Sequence, residues 1–219
     1  ISPILANIYM HNVLTLWYKF VIRSNTVGNS FLAVYADDFI AGFQYKEDAE
    51  RYYALLKERL KKFNLELEES KSRMIEFGKY AEINSKRKYG RKAETFNFLG
   101  FTLYCGKSRH SGEFCVKLKT NSKKFTQKLK RTKEWLYQNN DLPVKDLITR
   151  LNKKLVGHYR YYGVSHNINK LSAFLHYVQR YLFKVLNRRS HKKSYTWDGY
   201  IDMLKVYPLA KLKIYVKLF

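Results

Sequence analysis

The chain has 219 residues, 46% of them hydrophobic, enough for one large domain or two small ones with a real core. Its 42 Lys and Arg against 18 Asp and Glu give a formal net charge of +24, and at that imbalance self-repulsion costs stability unless a polyanion is the partner. No run approaches ~20 consecutive apolar residues, so no membrane-spanning helix is expected, and with no signal peptide evident and only Cys105 and Cys115, too few and too far apart for a zinc site, a reducing compartment is.

The elements follow in chain order. Leu5, Ile8, Tyr9, Val13, Leu16, Trp17 and Phe20 recur at helical spacing, with Ser2 as the cap and Pro3 in the first turn. Residues 25–29 break the pattern. Two apolar runs, Phe31-Leu32-Ala33-Val34 and Phe39-Ile40-Ala41-Gly42-Phe43, flank Tyr35-Ala36-Asp37-Asp38. They predict a β-hairpin with the Asp pair at its tip. Ala49, Tyr52, Leu56, Leu60 and Phe63 form the stripe of an amphipathic helix over 47–63. Residues 65–67 read as extended, 68–73 as a polar turn, 74–77 as a strand and 79–92 as a mobile basic loop. Residues 95–104 read as one strand. It pairs, across a turn at 106–112, with a strand over 114–118, which sets Cys105 facing Cys115.

From there the pattern is helical. Phe125, Leu129, Thr132 and Leu136 form one stripe; Val144, Leu147, Leu151, Leu155 and Tyr159 a second; Leu171, Phe174, Leu175, Val178, Leu182, Val185 and Leu186 a third. Three amphipathic helices on short loops predict a bundle. A short helix starts near Trp197 and stops at Pro208. Residues 1–116 carry net +5 and residues 117–219 net +19, a globular scaffold followed by an electrostatic clamp.

Adjacent carboxylates repel, so one takes up a proton or a cation joins them. Hard cations such as Mg²⁺ are held by one or two carboxylates plus substrate phosphates, which is the chemistry of nucleotidyl transfer. For an isolated Asp pair a solvated turn is the competing reading. Nineteen Tyr among the cations add surface on which bases stack.

Four ordered blocks carry a family resemblance. Tyr35-Ala36-Asp37-Asp38 resembles the Tyr-x-Asp-Asp box of reverse transcriptases. Ile1-Ser2-Pro3 with Leu5-Ala6-Asn7-Ile8-Tyr9 resembles the end of the block before it, residues 65–73 with Lys71 the block after it, and Phe96-Asn97-Phe98-Leu99-Gly100-Phe101 the primer-grip block. Leu155-Val156-Gly157-His158-Tyr159-Arg160-Tyr161-Tyr162-Gly163-Val164 and Asn187-Arg188-Arg189-Ser190 resemble the thumb, or maturase (X), domain of group II intron proteins. The resemblance covers nearly the whole chain. It implies an α+β fold: a partial polymerase palm (an antiparallel sheet backed by helices) over 1–118, an α-helical thumb bundle over 119–190 and a basic aromatic extension over 191–219. The family's third catalytic Asp lies upstream of Ile1, so the chain reads as an inactive piece of a longer protein. No Cys-rich HNH endonuclease follows, and no Val-Thr-Gly triplet of the retron enzymes stands in the thumb.

The resemblance also implies roles. Asp37 and Asp38 would serve catalysis and hold two Mg²⁺ ions with the upstream Asp. Lys71 would be a cation or proton donor at the departing pyrophosphate, or else one more solvated lysine. Phe98, Leu99 and Gly100 would form the primer grip. Tyr159, Arg160, Tyr162, Arg188, Arg189, Lys192 and Lys193 would contact RNA, with half-buried core as the other reading for the tyrosines; His158 would be structural or RNA-contacting. The implied activity is RNA-directed DNA synthesis of the group II intron type together with maturase-like RNA binding. The implied partners are structured intron RNA, an RNA template with a DNA primer, and dNTPs. Two alternatives remain open: a maturase that does not polymerise, and a bacterial reverse transcriptase serving defence or CRISPR adaptation. The expected compartment is a prokaryotic cytoplasm, at the nucleoid, or an organelle.

Overall fold

A computed structural model describes residues 2–108, 111–189 and 195–218. The chain is mixed α and β, and it divides into two compact units, Ile1–Ile75 and Glu76–Phe219. No helix among the described residues is long and apolar enough to cross a membrane.

The first unit opens with α1, Ser2–Met10, which runs on into wide π-helical turns at His11–Leu16 and Tyr18–Ile22 and a 3₁₀ turn at Arg23–Asn25. Ser2 is thus the first helical residue rather than the cap. The wide turns rotate the buried stripe away from the expected one: Val13, Leu14, Tyr18 and Ile22 are core, whereas Leu5, Ile8 and Phe20 are exposed. β1, Ser30–Tyr35, pairs antiparallel with β2, Asp38–Phe43, in a register that sets Tyr35 opposite Asp38. Alternation along β1 turns Leu32 and Val34 inward. α2, Lys46–Lys62, covers that face with Tyr52, Leu56 and Leu60, and Tyr52 packs between Trp17, Tyr18 and Phe43 at ring separations of 5.0–6.1 Å. Asp48 is a buried carboxylate at the start of α2. It accepts hydrogen bonds from the Val27 and Gly28 N–H groups at 3.0 and 3.2 Å and pairs with Arg51 at 2.8 Å, fixing the turn that leads into β1. The expected strand over 74–77 does not form; those residues lie outside any helix or strand.

The second unit begins with α3, Ala81–Tyr89, where a loop was expected. Only Ala81 of it is buried, so no apolar stripe announced it; Gly90 ends it at φ 63°. The single strand expected over 95–104 is a hairpin of two, β3 (Phe96–Phe98) and β4 (Phe101–Lys107), and β4 pairs with β5, Phe114–Thr120. The register pairs Cys105 with Val116 and Gly106 with Cys115, so the two free cysteines are offset by one residue and lie on opposite faces of the sheet. α4 (Ser122–Gln138), α5 (Val144–Tyr162) and α6 (Ile168–Leu186) carry the three expected stripes into one core, joined by Tyr200 and Met203 of α7, Trp197–Val206. Asn121 caps α4 by accepting the Lys124 N–H, and Thr196 caps α7 through Gly199. Asn167, fully buried, accepts from the Thr120 N–H at 2.8 Å and donates to Tyr162 O at 2.9 Å, tying the end of β5 to the α5–α6 connection.

Candidate functional site

The Asp pair sits at the tip of the β1–β2 hairpin. Register makes the two-residue turn Ala36 and Asp37; Asp38 is already the first residue of β2. The tip is therefore one residue earlier than the Asp-Asp step. Ala36 takes the left-handed conformation, φ 53°, which costs a non-glycine residue about 1–2 kcal/mol. Tyr35, Ala36, Asp37 and Asp38 are all exposed. The two carboxylates thus stand in water on a rigid tip with a packed strand face beneath. Beside the tip lies an open cleft of about 470 Å³ bordered by Asn7, His11, Thr15, Val34, Tyr35 and Ala36. Asn7, His11 and Thr15 were not singled out from the sequence. Their signal is a polar stripe at i, i+4 and i+8 on a largely apolar helical segment.

The donor set suits Mg²⁺. Two exposed carboxylates are hard oxygen ligands that leave room for water and phosphate oxygens. Among the described residues no three His, Cys, Asp or Glu side chains come together, so Asp37 and Asp38 stand without a third carboxylate. Lys71 is exposed and closes the turn after Glu68, its N–H donating to Glu68 O at 3.1 Å. Glu68 is held below its ordinary value, first by hydrogen bonds from Ser70 and then by the Lys71 charge. No hydrogen bond or ion pair joins Lys71 to Asp37 or Asp38.

In the second unit Phe98, Leu99 and Gly100 come together at the β3–β4 turn. Leu99 and Gly100 are the two loop residues, at φ 47° and 75°. A leucine in the left-handed region is costly, and its surroundings hold it there. Tyr161 Oη donates to Leu99 O at 3.0 Å, and the Asn121 N–H donates to Gly100 O at 2.9 Å. Tyr161 stacks on Phe101 with the rings 6.0 Å apart and 11° from parallel, and a Cβ on Gly100 would stand 2.9 Å from Tyr162 Oη.

The residues expected on the RNA face separate. Tyr159 is fully buried, its hydroxyl without a partner, so it is core and has no surface to offer nucleic acid. His158 is also core, sandwiched on Phe174 at 4.0 Å with both ring nitrogens unpartnered. Arg160 and Arg188 are exposed, Tyr162 and Arg189 half-buried. Arg188 lies over the Tyr137 ring at 5.3 Å, whereas Nε and Nη2 of Arg189 are buried. Lys192 and Lys193 lie outside the described residues. The role of Tyr161, whose hydroxyl fastens the β3–β4 turn, was not legible in the sequence.

Comparison with known proteins matches residues 1–103 to the family described as reverse transcriptase (RNA-dependent DNA polymerase) and residues 122–200 to the group II intron maturase-specific domain. Between them the matches leave out only 104–121 and 201–219. No curated protein matches the chain significantly.

Proposed function

This chain belongs to the group II intron reverse transcriptase/maturase family, and from that premise we propose that it carries part of the polymerising centre of an RNA-directed DNA polymerase together with an intron-RNA-binding bundle. The observation that carries the first half is the exposed carboxylate pair at the tip of the β1–β2 hairpin, Asp37 in the turn and Asp38 opening β2, inside the segment matched to reverse transcriptases. The palm then corresponds to 1–118, the thumb to 119–190 and a basic extension to 191–219.

In this reading Asp37 and Asp38, with a carboxylate from sequence upstream of Ile1, hold two Mg²⁺ ions. When bound, these would lower the pKa of the primer 3′-hydroxyl and offset charge on the pyrophosphate leaving group. The chain's own residues do the rest. Ala36 presents only a methyl group, so a template–primer can pass close to the tip. Lys71 Nζ holds a proton for the departing pyrophosphate. Phe98, Leu99 and Gly100 position the primer terminus, with the glycine allowing close backbone approach. Arg160 and Arg188 meet RNA phosphates, and Tyr162 offers a ring edge to bases or ribose.

The maturase reading, RNA binding without polymerisation, is favoured by a separate observation: 32 basic against nine acidic residues in 76–219. Both activities fit one protein. The test is primer extension with Mg²⁺ on an RNA template, by an enzyme carrying these residues and the upstream segment. Asp37→Ala should lower extension at least about a hundredfold, as expected when several kcal/mol of transition-state charge stabilisation is lost. RNA affinity should not change. Near wild-type extension by that variant would reduce the tip to a solvated turn.

A further inference from the structure

The last described residues form a strap along α5. Asn152 holds one end: its Nδ2 donates to Pro208 O at 2.9 Å and its Oδ1 accepts the Ala210 N–H at 2.7 Å. Gly163 and Ser165 hold the other. Gly163 O accepts the N–H groups of Tyr215 and Val216 at 2.7 and 3.0 Å, the Ser165 N–H donates to Val216 O at 3.0 Å, and Val164 and Val216 form a parallel bridge. The glycine is required, because a Cβ at 163 would lie 2.7 Å from Lys213 O.

Geometry fixes the path between these anchors. Asn152, Val156 and Tyr159 lie on one stripe of α5, Gly163 caps the helix at the end of that stripe, and eleven helical steps span about 16 Å. From Ala210 to Tyr215 there are five steps, which cover about 16 Å only if the chain is fully extended. Extended chain alternates its side chains, and burial follows that rule. Leu212 and Ile214 turn into the core, while Lys211, Lys213 and Tyr215 turn outward. Lys213 Nζ sits 5.3 Å from the Tyr215 ring centre, and Tyr215 is 42% exposed. Residues 203–218 contain four lysines and no acid. A quarter-turn round α5 from the anchored stripe stand Lys153 and Arg160, both exposed.

We propose that this strap is a rail for an unpaired RNA strand. Lys211 and Lys213, about 7 Å apart on one edge, would follow successive phosphates, and Tyr215 would stack a base. The extended, pinned backbone spaces the cations at regular intervals before any ligand arrives, which a flexible lysine tail does not. The strap lies outside both matched segments. The proposal rests on the RNA-binding half of the function above and adds the place and the form of the ligand.

The test is equilibrium binding of a labelled uridine 12-mer to the 219-residue chain at several salt concentrations. Replacing Lys211 and Lys213 by Gln should weaken binding and lower the log–log salt slope by about 1.4, two single-strand phosphate contacts. Arg at both positions should restore it. The same exchange at Lys61 and Lys62, two exposed lysines of the first unit, should leave the slope unchanged. An equal loss from the Lys61 and Lys62 pair would overturn the rail in favour of bulk charge, and an equal slope loss on an RNA duplex would overturn the single-strand assignment. Unchanged slopes in a chain that does bind RNA would overturn the rail alone; no RNA binding by the unsubstituted chain would overturn it together with the maturase reading.

Discussion

Two hairpin turns of the same length are built in opposite ways. Both are two-residue loops, and both force a non-glycine residue into the left-handed region, Ala36 at φ 53° and Leu99 at φ 47°. The first is open, with Tyr35, Ala36, Asp37 and Asp38 all exposed. The second is fastened, by the Tyr161 hydroxyl, the Asn121 amide and the stacked Phe101 ring. An open tip keeps carboxylate oxygens available to an ion and its phosphates. A fastened turn holds a backbone surface still. The units that carry them differ in the same sense: 1–75 holds ten basic and nine acidic residues, 76–219 holds 32 and nine.

The largest effect that would sharpen this contrast is on acid stability. Burial, with the Lys128 charge behind it, lowers His158 from 6.5 to about 4. The unfolded chain therefore binds a proton that the folded chain refuses between those values. The stability is fully present above pH 6.5 and falls as pH drops toward 4, by about 3 kcal/mol. Urea midpoints of the chain at pH 7.5 and 4.5 should show it, and His158→Phe, which keeps the ring stack on Phe174, should flatten the trend. A slope that survived the substitution would place the acid sensitivity elsewhere.

A smaller effect should come from Tyr161→Phe. It removes the bond to Leu99 O and little else, so about 1 kcal/mol is expected. Faster amide exchange at Gly100 and Phe101 would mark it as local to the turn, and unchanged exchange would mean that the ring stack and the Asn121 amide fasten it without the hydroxyl. The smallest should come from Ala36→Gly. Relief of left-handed strain is offset by the added freedom of an unfolded glycine, leaving a gain below about 1 kcal/mol. A clear loss of stability by thermal melting would show that the Ala36 methyl makes a contact the open tip does not suggest.

How much was readable beforehand follows from how strongly each element repeats. α4, α5 and α6 have unbroken apolar stripes, and all three formed where the period put them. α3 has no such stripe, and Lys86, Arg87 and Lys88 masked a helix. The β3–β4 turn went unread because Leu-Gly is not a turn dipeptide; tertiary bonds, not local preference, put Leu99 there. At the candidate site the carboxylate pair and its hairpin were legible, and the exact turn residues were not, because register depends on partners across the sheet. Burial of Tyr159 needed the packed bundle, since a tyrosine at the end of an apolar stripe reads equally well as core or as surface.

The surplus of cations in 76–219 makes ionic strength act on the molecule in two opposed ways. Added salt screens like charges within the bundle and so favours the compact state. If the unit binds RNA as proposed, the same ions compete for phosphate and loosen that grip. The bundle would then be sturdiest where it binds least. At low salt the bound polyanion would itself take over the screening, so that ligand and fold stabilise one another.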